Sequence, residues 1–190
     1  MAVIPSITAF LEKRIARSKV LVTLYAEFYR EVVEREIELA GIGEEDRVLN
    51  IGCGAIPFTA ILIARLTGAR VWAVDCDLAA VKTARFCVAA QGLKDLITVV
   101  HLDGRAEIPF PFDLALVALQ ARPKREILTN LFRCGGPGVR LVFRSARSSM
   151  AHQYDLLPRD IKYSDFVMQD KTTFDLSVLY TGRQEQALTG

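Results

Sequence analysis

The stretch from Arg47 to Ile63, RVLNIGCGAIPFTAILI, decides the fold. Val48, Leu49 and Ile51 form a short apolar run that stops at Gly52. Gly52-Cys53-Gly54 and a turn through Pro57 follow, and from Phe58 apolar residues stay dense up to Gly68. This reads as a buried parallel strand, a glycine-dependent turn and a helix with proline in its first turn. With no Cβ at 52 or 54, backbone N–H groups and a helix N-terminus can come up against a ligand. Strand-to-helix turns also use glycine for geometry alone, so the pair carries meaning only together with the other strand ends.

Working outward, strand patterns at 47–51, 70–75, 96–101, 113–119 and 139–144 alternate with helical ones at 58–67, 78–91 and 123–133. Strands apolar on both faces and separated by helices make a parallel sheet covered on both sides. Residues 165–169 and 174–181 read as two further strands after an irregular or helical stretch from 147 to 160. Their close spacing makes them an antiparallel pair added at the edge. The expected architecture is α/β and Rossmann-like, a mostly parallel seven-stranded sheet with an antiparallel edge strand.

Two helices precede it. The first covers 6–20, capped by Ser6, with Ile7, Phe10, Leu11 and Ile15 on one face. The second runs from about Leu24 to Ala40, with Tyr25, Phe28, Val32 and Leu39 on one stripe and Tyr29, Val33 and Ile37 on the next. Gly41 and Gly43 end it. Glu36 falls two turns after Tyr29 on nearly the same face, roughly 10 Å further along the axis. By pattern alone, Glu36 is a solvated side chain and Tyr29 a packed one.

At 190 residues and 51% hydrophobic, the chain can bury a full core as one domain. A net charge of +2 with no basic or acidic run argues against a nucleic-acid or polybasic membrane surface. Cys53, Cys76, Cys87 and Cys134 show no CxxC spacing. They read as buried thiols in a reducing compartment rather than metal ligands or disulfides. Pro5 and the charges Glu12, Lys13 and Arg14 come too early for a signal-peptide core, and no apolar run can span a bilayer. The expectation is a cytoplasmic protein without a metal, nucleic-acid or membrane partner.

In an open α/β sheet the ligand lies beyond the carboxyl ends of the strands. Three ends carry chemistry here. The first is the loop Gly52–Gly54. The second is Asp75, closing WAVD about 20 residues further on, where a carboxylate can take both hydroxyls of a ribose, with Cys76 beside it. Asp77 reads as the cap of the next helix. The third is Asp103-Gly104, after the strand ending in His101, where an acceptor can receive the exocyclic amine of adenine. Together they describe a nucleoside site. A dinucleotide fingerprint would need glycine at 57, and Pro57 stands there instead. S-adenosylmethionine needs no phosphate cradle, only room for its sulfonium and amino-acid tail beside the glycine turn.

The order VLNIGCG, VWAVDCD, VVHLDG, FDLALVAL and GGPGVRLVF resembles the class I S-adenosylmethionine-dependent methyltransferase fold over about residues 44 to 181. Two positions depart from that superfamily's commonest pattern. Asn50 stands where the end of the first strand is usually acidic, and Ile56 replaces the third glycine. Both departures, and the run Gly52-Cys53-Gly54-Ala55-Ile56-Pro57-Phe58-Thr59, are similar to the nicotianamine synthase family. So are ALQARPKREILTNLF (Ala118 to Phe132), with its Pro123-Lys124-Arg125, Phe143-Arg144-Ser145-Ala146 followed by Gln153-Tyr154-Asp155, and Tyr29 with Glu36 upstream.

The resemblance implies cofactor contacts from Gly52, Cys53, Gly54, Pro57, Asp75, Cys76, Asp103 and Gly104. It implies catalytic roles for Tyr29, over the glycine turn near the cofactor's amino-acid tail, and for Arg144, whose fork suits a carboxylate. His152 and Tyr154 are polar candidates on the acceptor side. The acceptor is expected to be a small amine or amino acid, taking a 3-amino-3-carboxypropyl group. A conventional small-molecule methyltransferase and a non-catalytic cofactor-binding module are the alternatives. The family carries a larger helical domain before its tyrosine, with an acidic residue that Glu12 and Glu27 do not match. The organisation expected is a helical extension over 1–43, which could also form a homodimer face, a cofactor-binding domain over 44–182 and a loose tail from 183.

Overall fold

The computed structural model describes residues 19–182. The expected helix at 6–20 and the expected tail from 183 lie outside the described residues, apart from the helical positions 19 and 20. The sheet is organised on β1 (Arg47–Ile51), which pairs in parallel with β2 (Arg70–Asp75) on one side and β4 (Leu114–Val117) on the other. Every residue of β1 after Arg47 is buried, as a strand apolar on both faces requires. Val48 packs into a core shared with the preceding helix α1 (Lys19–Ala40), α2 (Phe58–Thr67) and α3 (Leu78–Ala90). Leu49 and Ile51, on the opposite face, pack with α4 (Lys124–Cys134).

With β3 (Ile97–His101), β5 (Arg140–Ala146), β6 (Asp165–Met168) and β7 (Phe174–Thr181), the sheet has seven strands in the order β3-β2-β1-β4-β5-β7-β6. β7 is antiparallel to both β5 and β6. The antiparallel strand therefore sits one place in from the edge, and β6 closes the sheet. Length and polarity explain the order. β7 matches seven positions of β5 and buries Phe174, Val178 and Tyr180, whereas β6 has four residues and leaves Phe166 and Met168 exposed. The order reverses between β1 and β4, which opens a crevice at their carboxyl ends.

α1 starts five residues before the expected Leu24, and its buried stripe differs from the expected one. Val22, Ala26, Val33 and Ala40 enter the core, while Phe28 is 64% exposed. No helix among the described residues is long and apolar enough to cross a membrane.

Candidate functional site

A cleft of about 700 Å³ lies at the carboxyl ends of β1 to β4, walled on its far side by α1, β5 and the turn before β7. Of the residues the sequence singled out, Gly52, Cys53, Gly54, Asp75, Cys76, Asp103, Gly104, Tyr29 and Arg144 all line it. Pro57 does not. It is buried at the start of α2, its carbonyl accepting from Ile61 N at 2.9 Å, and Ile56 and Phe58 take its place in the wall.

The glycine loop turns through φ of +77° at Gly52 and +66° at Gly54, a region L side chains rarely enter. A Cβ at 52 would stand 3.1 Å from Ala118 Cβ, and one at 54 would meet nothing within 4 Å. The loop's N–H groups are spent inside the protein. Gly52 N and Cys53 N donate to Val74 O at 2.9 and 3.0 Å, and Gly54 N donates to Asp75 Oδ2 at 2.8 Å. The loop therefore offers a ligand close approach rather than the free backbone donors expected from its sequence. The Cys53 thiol is pushed up to about 12, by burial first and then by the charge of Asp75, so it stays protonated at neutral pH.

Asp75 holds its own surroundings together: Oδ2 takes Gly54 N and Oδ1 takes Asp77 N at 2.9 Å. Asp77 caps α3 as expected, accepting from Ala79 N at 2.8 Å. Cys76 is exposed rather than buried, and its carbonyl accepts from His101 Nε2 at 2.9 Å. All four cysteines are free. Asp103 already has a partner. Arg105 clasps it through Nε and Nη2, the latter at 2.6 Å, and holds its carboxyl below the usual range. An adenine amine there must share the carboxylate with a guanidinium. Gly104 is needed for space, since its Cβ would fall 3.0 Å from Ile51 Cγ2.

The far wall is where the sequence reading needs most correction. Glu36 is not solvated but fully buried, and it meets Arg144 side-on, Nε to Oε1 and Nη2 to Oε2, both at 2.8 Å. Ser177 Oγ donates to Glu36 Oε1 at 2.8 Å, and Arg144 Nη2 also reaches Thr59 Oγ1 at 3.2 Å. Arg144 thus has an internal carboxylate partner on Nε and Nη2, in addition to any ligand it meets. Among the described residues, no acceptor is assigned to Nη1 of this cleft-lining side chain. Tyr29 stacks on Phe58 with ring centroids 4.4 Å apart, beside the glycine turn. Asn50, at the cleft floor, gives Nδ2 to Leu116 O at 3.3 Å and leaves Oδ1 buried without a donor.

The rim beyond β4 is fastened by Lys124, whose Nζ donates to Leu119 O and Asp155 O, both at 2.8 Å, while its backbone N donates to Asp155 Oδ2. His152 and Tyr154 line a second, polar pocket rather than the cleft. The sequence reading missed Phe174, Thr173 and Arg105 in the cleft wall. Only Arg105 had a local signal: an Asp-x-Arg step at a strand end favours a turn that brings the two side chains together.

A family model described as "Methyltransferase small domain" matches residues 35–119. The L-histidine 2-aminobutanoyltransferase of Yersinia pestis is 33% identical over 108 residues, 56% of this chain and 40% of that protein. The protein of the same name from Pseudomonas aeruginosa is 33% identical over 103 residues, 53% of this chain and 39% of that one. The match thus spans less than half the length of these curated relatives. A mutant of MtNAS in complex with S-adenosylmethionine superposes with a TM-score of 0.77 at 24% identity, covering 90% of this chain and 70% of that one. An RNA methyltransferase from Salinibacter ruber, in complex with S-adenosyl-L-homocysteine, gives 0.65 at 24% identity over 80% of this chain and 90% of that one.

Proposed function

From the premise that this chain has the class I S-adenosylmethionine-dependent methyltransferase fold and is similar to nicotianamine synthase within it, we propose that it is an S-adenosylmethionine-dependent transferase acting on a small molecule. The group transferred is the 3-amino-3-carboxypropyl chain, and the acceptor is an amine or amino acid. The observation that carries the reading is the character of the cleft floor. It presents acceptors where a phosphate ligand would need donors. The N–H groups of 52, 53 and 54 are tied off, and the carboxylates of Asp75 and Asp103 stand at the neighbouring strand ends that line the cleft. A sulfonium and an ammonium suit such a floor, and a pyrophosphate does not.

Each Asp75 oxygen accepts one backbone N–H and keeps lone pairs for the ribose hydroxyls. Cys76, Asp103 and Gly104 flank the adenine, and Gly52 to Gly54 let the sulfur come close. Arg144, held by Glu36, turns Nη1 to the carboxylate of the amino-acid tail, and the Tyr29 ring covers that tail. Bound S-adenosylmethionine supplies carbons made electrophilic by the positive sulfur, and the one transferred is the one the acceptor faces in line. Two facts favour the longer chain over the methyl group. The curated relatives are named for an aminobutanoyl transfer to L-histidine, and MtNAS is known in complex with MTA, the nucleoside left when that chain departs. We place the protein in the cytoplasm, where its four free thiols stay reduced.

Incubation with S-adenosylmethionine and a panel of amino acids and polyamines, followed by mass spectrometry of the spent nucleoside, tests this. Methylthioadenosine is expected. S-adenosylhomocysteine would assign methyl transfer instead, and tight binding with neither product would make the chain a cofactor-binding module.

A further inference from the structure

Arg144 has one nitrogen to spare. Nε donates to Glu36 Oε1 at 2.8 Å, and Nη2 donates to Glu36 Oε2 at 2.8 Å and to Thr59 Oγ1 at 3.2 Å. Cζ stands over the Phe174 ring, 5.6 Å from its centroid. Of the N–H groups of the guanidinium, those on Nη1 remain. Because the group is planar and rigid, their direction follows from the way Glu36 holds its other edge.

Glu36 is itself aimed by a second residue. Ser177 stands directly opposite Arg144 in the β5–β7 pair, so both side chains leave the same face of the sheet. Its Oγ donates to Glu36 Oε1 at 2.8 Å. A serine hydroxyl has a single proton to give, and Gln169, just past β6, decides where it goes. Gln169 Nε2 donates to Ser177 Oγ at 3.2 Å and to Val32 O at 3.3 Å. The opposite amide orientation would set Oε1 against the Val32 carbonyl, so Ser177 receives from Gln169 and gives to Glu36. The chain runs one way.

Glu36, Arg144, Ser177 and Gln169 are all buried, and Gln169 Oε1 has no donor among the described residues. Packing alone does not account for that cost, since a methionine fills similar space without a polar atom to satisfy. Resting on the transferase reading of the cleft, we infer that Ser177 and Gln169 are positioning residues for the donor. They fix the rotation of the Glu36 carboxylate, which holds Arg144 with Nη1 presented to the carboxylate of S-adenosylmethionine. Arg144 lines the cleft, whereas Glu36, Ser177 and Gln169 lie behind it and act through its orientation.

The test titrates the full chain by calorimetry with S-adenosylmethionine and with its decarboxylated form, which differs by that carboxylate alone. The native protein should prefer the first by about tenfold or more. Ser177→Ala should cut the preference by about three- to tenfold, weakening S-adenosylmethionine while leaving the decarboxylated ligand unchanged. Gln169→Met, which frees the Ser177 proton to turn, should cut it less. Unchanged binding of the decarboxylated ligand also shows that a variant has folded. A preference that survives in both variants, or an equal loss for both ligands, would overturn the inference and leave the two residues as core packing. A native protein that binds both ligands equally would overturn it too, at Arg144, with the cofactor site intact. Failure of the native protein to bind either ligand would instead strike the transferase reading.

Discussion

Glu36 and Arg144 form a buried side-on ion pair, two parallel contacts of 2.8 Å between α1 and β5. Ser177 from β7 and Thr59 from α2 complete it, so one pair ties four elements to the cleft wall. Removing one member of such a pair leaves the other charge buried and uncompensated.

Glu36→Ala should therefore destabilise the fold by about 3–5 kcal/mol in urea unfolding, and the double variant Glu36→Ala with Arg144→Met should recover much of that loss. A single-variant loss below about 1 kcal/mol, the range of exposed pairs, would mean the pair does not fasten α1 to the sheet.

Gly52 and Gly54 both sit at positive φ, but only Gly52 is crowded. A methyl group at 52 meets Ala118 Cβ at 3.1 Å, while one at 54 meets open space. Both alanine variants incur a left-handed backbone cost of about 1–2 kcal/mol. Gly52→Ala must also displace its neighbour, so it should be the less stable of the two. Gly54→Ala, which adds a methyl to a residue that lines the cleft, should instead lose S-adenosylmethionine affinity out of proportion to its stability. Equal effects on both properties would contradict this division, which thermal melts and calorimetric titrations read directly.

What was legible in the chain is what local pattern governs. The apolar run of β1, the glycine turn and an acid at the end of β2 are set by neighbours within a few residues, and they fall where expected. The cleft's far wall is set by distant partners. A glutamate on a helix shows the same spacing whether it faces water or a guanidinium, so nothing near Glu36 announces an arginine that lies 108 positions away. Phe174 reaches the cleft only because β7 takes the place beside β5, a choice of strand order that no window of sequence holds. The free N–H groups expected of the glycine loop failed for a similar reason, since their acceptor, Val74 O, belongs to the next strand.

Asp75 has two duties, fastening the glycine loop through Gly54 N and Asp77 N and offering its outer lone pairs to the ligand. Hydrogen bonds to a charged group contribute roughly 1.5–3 kcal/mol each. Asp75→Ala should weaken S-adenosylmethionine binding more than tenfold in calorimetry. Asp75→Asn keeps one acceptor oxygen and should lose less. A dissociation constant unchanged in both variants would remove Asp75 from the site.

Lys124 is fully buried, and burial pushes its ammonium down to about 8 against the opposing pull of Asp155. The unfolded chain restores the ordinary value near 10.5. Between those two values the unfolded state holds a proton that the native state has released, so stability rises with pH from about 8 to about 10.5. Below 8 both states are protonated and this contribution to the slope vanishes. Lys124→Met removes the titrating group while leaving every other ionisable side chain in place. The stability of the native protein relative to this variant should therefore grow as pH increases through that window, whatever the absolute cost of losing the contacts to Leu119 O and Asp155 O. Urea midpoints for both proteins at half-unit steps from pH 7 to 10.5 measure the difference. Two parallel curves would show that the Lys124 ammonium keeps its proton throughout, and that the loops it joins tolerate a buried charge.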